Sequence, residues 1–311
     1  MRVVDTKELR VGIEQWGDPG GSPVVALHGF PDDARAWSLV APGLVEAGHY
    51  VVAPYLRGVG PTTWREAPVF RGAQQAALAR DVVELMDALG LRRAILAGHD
   101  WGALAACGAA ILAPERVSGL VVTGGYLLAS PAAAAIDGEI PSPAVAQALW
   151  YQWFFCLDIG KAAFRADPAG FARQLWRTWS PGFPGAEAQL SAVVGSFANP
   201  DFAELVAHFY RHRRGLAPGD PARAKDEGLL ASRPVIEAPV VVLHGAADAT
   251  VPPGAPPAGL DRFAQLVAAD TLEDVGHFPH RERPQAVIDA VAGSESTSMA
   301  FASHQHVACH S

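Results

Sequence analysis

The sequence predicts an α/β protein in which a mostly parallel central sheet is flanked by helices and interrupted by an inserted helical cap. Short apolar runs bounded by turn residues alternate with segments of helical spacing, a pattern typical of parallel strands joined by helices. The alternation stops between about residues 131 and 232, where four of the eight Trp residues lie among Pro/Gly turns. It resumes at Pro239.

The amino-terminal elements follow from this pattern in order. Two short β-rich segments, Arg2–Val4 and Leu9–Glu14, precede a Gly/Pro turn. After that turn, continuous apolar runs predict buried strands, and the segments between them have the spacing of amphipathic helices. The predicted strands are Pro23–Leu27, Tyr50–Ala53, Arg93–Ala97 and Val117–Thr123, and the predicted helices are Ala34–Glu46, Gln74–Leu89 and Asp100–Ala113.

The strand pattern returns after the interruption, at Val240–His244 and Gln265–Leu272. The sequence therefore predicts one sheet domain with an insertion, rather than two domains in tandem. We expect residues 1–130 and 233–293 to form the core domain and residues 131–232 to form the cap.

Composition excludes several classes of protein. The 311 residues include 24 Lys and Arg against 32 Asp and Glu, which gives a formal net charge of −8. An acidic chain without a long basic run is a poor match for nucleic acid or an anionic membrane. The most apolar stretch, Val117–Leu128, is too short for a membrane helix, and the N-terminus has no secretory pattern. We expect a cytoplasmic protein without nucleic-acid or membrane partners, and a homodimer stays open.

The cysteines and the C-terminal residues predict neither a disulfide nor a structural metal site. Cys107, Cys156 and Cys309 are too far apart for a disulfide framework or a zinc site, which fits a reducing compartment. The chain ends in a stretch rich in His that could hold a transition metal by composition. Residues 294–311 are small, polar and aperiodic, so a disordered tail is favoured and no metal site is predicted.

The segment Ile95-Leu96-Ala97-Gly98-His99-Asp100-Trp101-Gly102 carries the strongest functional signal. A buried strand runs into a helix through Gly-x-Asp-x-Gly, and the two glycines allow a turn so tight that residue 100 stands at its tip. This pattern is typical of a nucleophile elbow, which presents one side chain above the sheet at a helix N-terminus. The usual occupant is Ser. A simple turn with Asp100 as the helix N-cap is the alternative.

An Asp at this place indicates different chemistry from a Ser. A carboxylate needs no base to become nucleophilic, and the helix N-terminus helps to keep it ionised. It suits attack on an sp³ carbon that carries a leaving group, which forms an alkyl ester. It is ill suited to acyl transfer from a carboxylic ester.

Two later loops supply an acid and a base. Asp248 follows the strand Val240–His244, and His277 follows the next strand, which gives the chain order nucleophile, acid, His. Weaker alternatives are Asp270 and Asp274 for the acid and His280 for the base.

The loop His28-Gly29-Phe30-Pro31 ends an earlier buried strand, where a second backbone donor is needed. The N–H groups of Phe30 and Trp101 are therefore expected to form an oxyanion hole. We expect His28 to stabilise this loop and, with Pro31, to border the substrate.

From about Leu9 to Val291, the chain resembles α/β-hydrolases of the epoxide hydrolase and haloalkane dehalogenase branch. The motifs that carry the resemblance are His28-Gly29-Phe30-Pro31, Gly98-His99-Asp100-Trp101-Gly102 and Gly276-His277-Phe278-Pro279. The resemblance implies the α/β-hydrolase fold with an inserted helical cap.

In epoxide hydrolases, two cap tyrosines donate hydrogen bonds to the epoxide oxygen, and this chain is similar at both places. Tyr151 lies in Trp150-Tyr151-Gln152-Trp153, and Tyr210 lies in Phe209-Tyr210-Arg211. The aromatic cap suggests a largely apolar pocket, in which Trp150 and Trp153 are candidate substrate-binding residues.

The resemblance also implies the reaction. Asp100 would open an epoxide while Tyr151 and Tyr210 support the departing oxygen. Water activated by His277 and Asp248 would then hydrolyse the ester to a vicinal diol. No cofactor is implied, and the expected partners are a small, largely apolar epoxide and water.

Two other functions stay open. A haloalkane dehalogenase would use the same Asp and His, with Trp101 and a second Trp binding the halide, although Phe30 stands where Asn or Glu would favour that reaction. The second is a ligand-binding protein of the same fold without turnover. Departures from relatives, such as Tyr55 in place of the usual Asp, leave the subfamily open.

Overall fold

The computed structural model describes residues 1–67, 70–130, 142–252 and 254–295. The strands in these ranges, numbered along the chain, are β1 (Arg2–Asp5), β2 (Leu9–Trp16), β3 (Ser22–Leu27), β4 (His49–Pro54), β5 (Thr63–Trp64), β6 (Ala94–Gly98), β7 (Val117–Thr123), β8 (Ile236–Gly245) and β9 (Phe263–Leu272).

Within the described ranges, these nine strands form one sheet in the order β1-β2-β4-β3-β6-β7-β8-β9, with β5 paired to β2. The pairs from β4 to β9 along this order are all parallel, whereas β2 pairs antiparallel with β1, β4 and β5. The predicted mostly parallel sheet is therefore confirmed.

The helices belong to two groups. Those between strands of the sheet or after it are α1 (Ala41–Glu46), α2 (Gln75–Ala88), α3 (Trp101–Leu112), α11 (Pro279–Glu282) and a helix at residues 284–295. Those between β7 and β8 are α4 (Pro143–Ala148), α5 (Trp150–Phe155), α6 (Asp158–Ala166), α7 (Pro168–Trp179), α8 (Ala186–Val193), α9 (Phe202–Arg213) and α10 (Ala224–Ala231).

The sheet is buried at its centre. β4 and β6 are buried along their whole length, and β3 is buried from Val24 onward. Parallel strands covered on both faces are expected to be apolar throughout, which explains the continuous apolar runs in the sequence. α3 contacts β3, β6 and β7, and its buried residues are almost all small, so the helix axis can approach the sheet closely.

The helices between β7 and β8 mostly cover the loop after β3. α5, α6 and α9 contact one another, and their aromatic rings surround Phe30. The ring centroids of Phe155 and Phe164 lie 6.1 Å and 5.7 Å from that of Phe30. α10 differs, because it packs on α2 and α3 of the sheet layer although it lies within the predicted cap range.

Several predicted boundaries differ from the structure. The predicted helix Ala34–Glu46 is a 3-10 turn at Ala34–Leu39 followed by α1, and Pro42 near the start of α1 lacks the amide that a continuous helix would need there. β5 is not predicted, because two residues carry no periodic pattern. Ser294 is buried and belongs to the helix at 284–295, so the helix extends past the expected start of the tail. Residues 296–311, including Cys309 and the predicted disordered end, lie outside the described residues.

No helix in the described part of the chain is long and apolar enough to span a membrane.

The first turn of α3 makes the tightest backbone contact with the sheet, which leads to a stability prediction. A Cβ placed on Gly102 would stand 2.1 Å from the carbonyl oxygen of Leu27. We expect Gly102→Ala to lower the free energy of unfolding by about 2–3 kcal/mol, because the backbone of β3 or α3 must shift to accommodate the methyl group. Urea unfolding followed by circular dichroism measures this change.

Gly182→Ala is the matched control, since Gly182 is exposed and a Cβ there would meet open space. It should change the free energy of unfolding by less than about 0.5–1 kcal/mol. Equal stability of the two variants would contradict the close contact between α3 and β3.

Candidate active site

Asp100 stands at the tip of a strained turn between β6 and α3. Its φ of 50° and ψ of −114° are unusual for a residue with a side chain. The turn is possible because glycines flank it: a Cβ on Gly98 would stand 2.5 Å from the carbonyl oxygen of Gly102. This geometry directs the Asp100 side chain away from the sheet and toward the loops above it.

Two backbone amides donate hydrogen bonds to the Asp100 carboxylate. The Phe30 amide lies 2.8 Å from Oδ1, and the Trp101 amide at the start of α3 is the second donor. Burial raises the pKa of Asp100, and the charge of His277 and the two amides oppose that rise. Paired amides that stabilise a negative oxygen are the requirement of an oxyanion hole.

His277 and Asp248 form a hydrogen-bonded pair beside Asp100. His277 Nδ1 lies 2.9 Å from Asp248 Oδ2, while Asp248 Oδ1 accepts hydrogen bonds from the amide and hydroxyl of Thr250 at 2.8 Å and 2.7 Å. With Nδ1–H donating to the carboxylate, Nε2 of His277 is left as the acceptor. Nε2 is buried and makes no hydrogen bond to any residue that the structure describes.

The pKa values of this pair move in opposite directions. Burial would lower the pKa of His277, but the charge and hydrogen bond of Asp248 outweigh it, so the pKa lies above its usual value. Burial would raise the pKa of Asp248, but His277 and Thr250 outweigh it, so this pKa lies below its usual value. The ionised form of Asp248 is therefore favoured, and it stabilises a proton on His277.

Residues that the sequence did not indicate hold the His277 loop. The His277 amide lies 2.7 Å from Ser180 Oγ and 3.3 Å from the Trp179 carbonyl, both at the end of α7. The Ser180 hydroxyl donates to Glu282 at 2.9 Å, and the other carboxylate oxygen of Glu282 accepts from the Gly276 amide at 3.0 Å. Glu282 could have been found from the sequence, because an acid in the first turn after Pro279 is typical of a helix start. Nothing in the sequence singles out Ser180.

Tyr151 on α5 and Tyr210 on α9 meet near Asp100. Both side chains are buried, and their ring centroids lie 5.6 Å apart. Burial raises the pKa of each phenol, and the nearby Asp100 charge raises it further. Both phenols therefore keep their protons at neutral pH and can donate hydrogen bonds.

One cavity of about 230 Å³ brings the predicted catalytic side chains together. Its apolar walls include Leu104, Leu127, Leu149, Phe209, Pro256 and Pro257. The side chains with chemistry to offer in its lining are Asp100, Tyr151, Gln152, Tyr210, Arg213, His244, Asp248, Thr250 and His277. A concave, largely apolar site with a few converging polar groups is typical of a small-molecule pocket.

Four residues that the sequence suggests as substrate-binding do not line this cavity, and their role stays a prediction. None of His28, Pro31, Trp150 and Trp153 is among the described residues that line the cavity.

The two loop residues of this set are used for packing. His28 is buried, with Nδ1 2.8 Å from the Gly29 carbonyl and Nε2 accepting from the Leu56 amide at 3.0 Å, so it holds the loop. The Pro31 carbonyl accepts a hydrogen bond from the Trp176 indole at 3.0 Å.

The two tryptophans are displaced by the rotation of α5. Tyr151 and Gln152 line the cavity, whereas Trp150 and Trp153 leave the helix in other directions. Trp153 is 38% exposed and lies under Arg214, with the guanidinium carbon 4.0 Å from the ring centroid. Trp150 packs against Tyr151 and Phe154.

The weaker alternatives do not occupy the site. His280 is fully buried between the rings of His99 and Trp37, with Nε2 3.7 Å from Asp32. Asp270 and Asp274 are exposed, on β9 and just after it. Among the described residues, no cluster of three or more His, Cys, Asp or Glu side chains is arranged to hold a metal ion.

Comparison with known proteins identifies the family. A family model of the alpha/beta hydrolase fold matches residues 22–284. The chain therefore belongs to the α/β-hydrolase family, and the predicted fold is confirmed.

Within this family, the chain is similar to epoxide hydrolases, which confirms the resemblance. Epoxide hydrolase A of Mycobacterium tuberculosis is 26% identical over 328 aligned residues, which cover 93% of this chain and 95% of the relative. Epoxide hydrolase 2 of Siraitia grosvenorii is 35% identical over 137 residues, 44% of this chain and 42% of the relative. A crystal structure from Klebsiella pneumoniae, of a protein provisionally described as an epoxide hydrolase, is 34% identical with a TM-score of 0.89, and the match covers 95% of this chain and 97% of that one.

The His277–Asp248 pair leads to a titration prediction. Asp248→Asn removes the charge that raises the pKa of His277, while burial, which lowers it, remains. We expect the pKa of His277 to fall, so that the imidazole stays neutral to lower pH. Carbon-13 NMR of histidine-labelled protein, titrated across neutral pH, measures this shift, with His277→Gln identifying the signal.

Asp270→Asn is the control, because it removes an exposed carboxylate from β9. It should leave the His277 titration unchanged. An unchanged His277 pKa in Asp248→Asn would mean that another group sets the charge of the base.

Proposed function

We propose that this protein is an epoxide hydrolase that opens an epoxide to a vicinal diol through a covalent ester on Asp100. The observation that carries the proposal is the pair of buried phenols, Tyr151 and Tyr210, in the same cavity as Asp100 and His277. A carboxylate alone suits several leaving groups. Two phenol donors suit a leaving group that becomes an alkoxide oxygen and must collect a proton.

In the first step, a carboxylate oxygen of Asp100 attacks one epoxide carbon, and the bond from that carbon to the ring oxygen breaks. The released oxygen receives hydrogen bonds from Tyr151 and Tyr210 and takes a proton from one of them. Because burial raises the pKa of both phenols, they remain protonated donors before the reaction. The product of the step is a β-hydroxyalkyl ester of Asp100.

In the second step, Nε2 of His277 takes a proton from water as the water oxygen attacks the ester carbonyl. The carbonyl oxygen becomes negative, and the amides of Phe30 and Trp101 are the groups that would stabilise it. Asp248 supports the positive charge that develops on His277. Collapse of the intermediate breaks the ester bond to the diol oxygen, which takes the proton held by His277. The carboxylic acid left at Asp100 gives its proton to the phenolate formed in the first step, so that Asp100 and the tyrosine return to their starting states.

In this proposal, the helices between β7 and β8 act as a cap over the site. The cap is residues 131–232, and the core domain is residues 1–130 and 233–293. α5 and α9 bring the two phenols over the sheet, and their apolar side chains exclude bulk water from the ester. The reaction needs only a small, largely apolar epoxide and water, and none of its steps uses a cofactor. The expected cytoplasmic location stays a prediction.

Haloalkane dehalogenation is the nearest rival. It would need the Trp101 indole N–H as a halide donor, and this group lies at the cavity beside Tyr210. A second indole donor is missing from the described cavity lining, since Trp176 donates to Pro31 and Trp179 does not line the cavity. Halide release from bromoalkanes, without diol formation from epoxides, would favour this rival. Tight ligand binding without either reaction would favour a non-catalytic protein.

The ester intermediate gives a direct prediction. We expect His277→Gln to accumulate the Asp100 ester, because alkylation needs no base whereas hydrolysis does. Intact-protein mass spectrometry after incubation with styrene oxide should find an increase equal to one epoxide, and peptide mapping should place it on Asp100.

Asp100→Ala and the double variant with His277→Gln are the controls and should gain no mass. Circular dichroism melting checks that each variant is folded. If wild type consumes the epoxide but His277→Gln forms no adduct, hydrolysis proceeds without this ester and the mechanism is wrong.

The phenols are predicted to act on ring opening alone. Tyr151→Phe and Tyr210→Phe should each slow ester formation in the His277→Gln background on the order of 10²-fold, because one donor to the leaving oxygen is lost. Tyr126→Phe is the matched control, since this buried phenol donates to the Pro234 carbonyl away from the cavity. Rapid-quench mass spectrometry measures the rates, and unchanged rates in both cap variants would remove the phenols from the mechanism.

A further inference from the structure

Arg213 is a charged cavity residue that the proposed reaction does not use. It lies on α9 three residues after Tyr210, so both side chains leave the same face of the helix. It lines the cavity together with Asp100, Tyr151 and Tyr210. A cation therefore borders a pocket whose walls are otherwise largely apolar.

The guanidinium group of Arg213 is only partly engaged. Its Nη1 donates to the Leu127 carbonyl at 3.0 Å. Among the described residues, no carboxylate lies within 4.0 Å of it, and neither its Nε nor its Nη2 has a hydrogen-bond acceptor. One edge of the planar group is thus available for a ligand.

The other arginines of this helix are used differently. Arg214 stacks on Trp153 and donates to Gln152 at 2.7 Å. Arg211 donates to the Cys156 carbonyl at 2.9 Å and to Asp158 at 2.8 Å. Both have partners within the protein. In the described structure, Arg213 is therefore the arginine of this basic cluster (Arg211, Arg213 and Arg214) that faces the pocket with free donors.

The groups that face Arg213 do not account for its charge. Burial and the neighbouring Arg214 lower its pKa, against the opposing influence of Tyr210 and Asp100. Asp100 is already held by the Phe30 and Trp101 amides. Arg213 is partly buried and lacks a paired anion to compensate for its lost hydration, and its free Nε–Nη2 edge matches a carboxylate in bidentate geometry.

We propose that Arg213 binds a carboxylate of the substrate, so that the preferred epoxides are epoxy acids. This inference rests on the proposed epoxide hydrolase function. Cβ atoms three residues apart on a helix are about 5–6 Å from each other, so the carboxylate would lie a few carbon–carbon bonds from the epoxide oxygen held by Tyr210. The apolar walls would contact the chain between the two groups.

The test compares epoxyhexanoate with epoxyhexanamide, which share a carbon chain and differ in charge. For Arg213→Gln we expect kcat/KM on the acid to fall roughly 10- to 100-fold, mainly through KM, because a charge-assisted bidentate contact is lost. The value for the amide should change by less than about threefold. Arg213→Lys should recover part of the loss on the acid.

Arg211→Gln is the matched control, because Arg211 lies on the same helix and its donors are directed to Cys156 and Asp158. It should leave the acid-to-amide ratio at the wild-type value. An equal loss on both substrates in Arg213→Gln would overturn the inference, since Arg213 would then act on Asp100 or on the chemistry.

Calorimetry with hexanoate and hexanamide separates this inference from the proposed function. Neither compound can be opened, so their binding does not depend on turnover. Binding of hexanoate by wild type that is weakened in Arg213→Gln would support the carboxylate site even if no epoxide is consumed. Diol formation from the amide, with hexanoate binding unaffected by Arg213→Gln, would refute the site and leave the hydrolase proposal standing.

Discussion

The close approach of α3 to the end of β3 is the constraint on which the site depends. Residue 102 has no side chain, and the Leu27 carbonyl occupies the place where one would begin. The contact brings the first turn of α3 against the loop after β3, so the amides of Phe30 and Trp101 face the same carboxylate. Asp100, which has a positive φ, stands between Gly98 and Gly102 at this contact. The strained turn and the paired donors therefore lie at the same packing contact.

The parallel sheet then determines which distant residues meet. β3, β6, β8 and β9 all end at the same edge, and each is followed by a loop that contributes to the site. This is why Asp248 can reach His277 and why both lie beside Asp100, although 148 residues separate the two acids in sequence.

The electrostatics of the site follow from the same arrangement. Burial raises the pKa of Asp100, and the nearby positive His277 would oppose that rise. Asp248 in turn raises the pKa of His277.

The sequence was sufficient to predict those features of the fold and site that local backbone rules determine. Glycines on both sides of Asp100 and apolar strands before each loop indicate the turn, the sheet and the positions of Asp248 and His277. It was insufficient to predict the direction of a side chain that depends on packing between helices. α5 presents Tyr151 to the cavity and turns Trp153 outward beneath Arg214. The sequence of this aromatic segment does not show which of its rings faces the cavity and which faces outward. Arg213 was missed for the same reason, since the basic cluster on α9 is divided between cavity and exterior only by the rotation of that helix.

The end of α7 links the inserted helices to the chemistry of the sheet loops. The Trp179 carbonyl accepts hydrogen bonds from two backbone amides at 3.3 Å each. One is the amide of Ala249, which follows the acid Asp248, and the other is the amide of the base His277. The Trp179 ring also packs against both Tyr151 and His277, with centroid distances of 4.9 Å and 4.8 Å. A movement of α7 would therefore disturb the base and a phenol together.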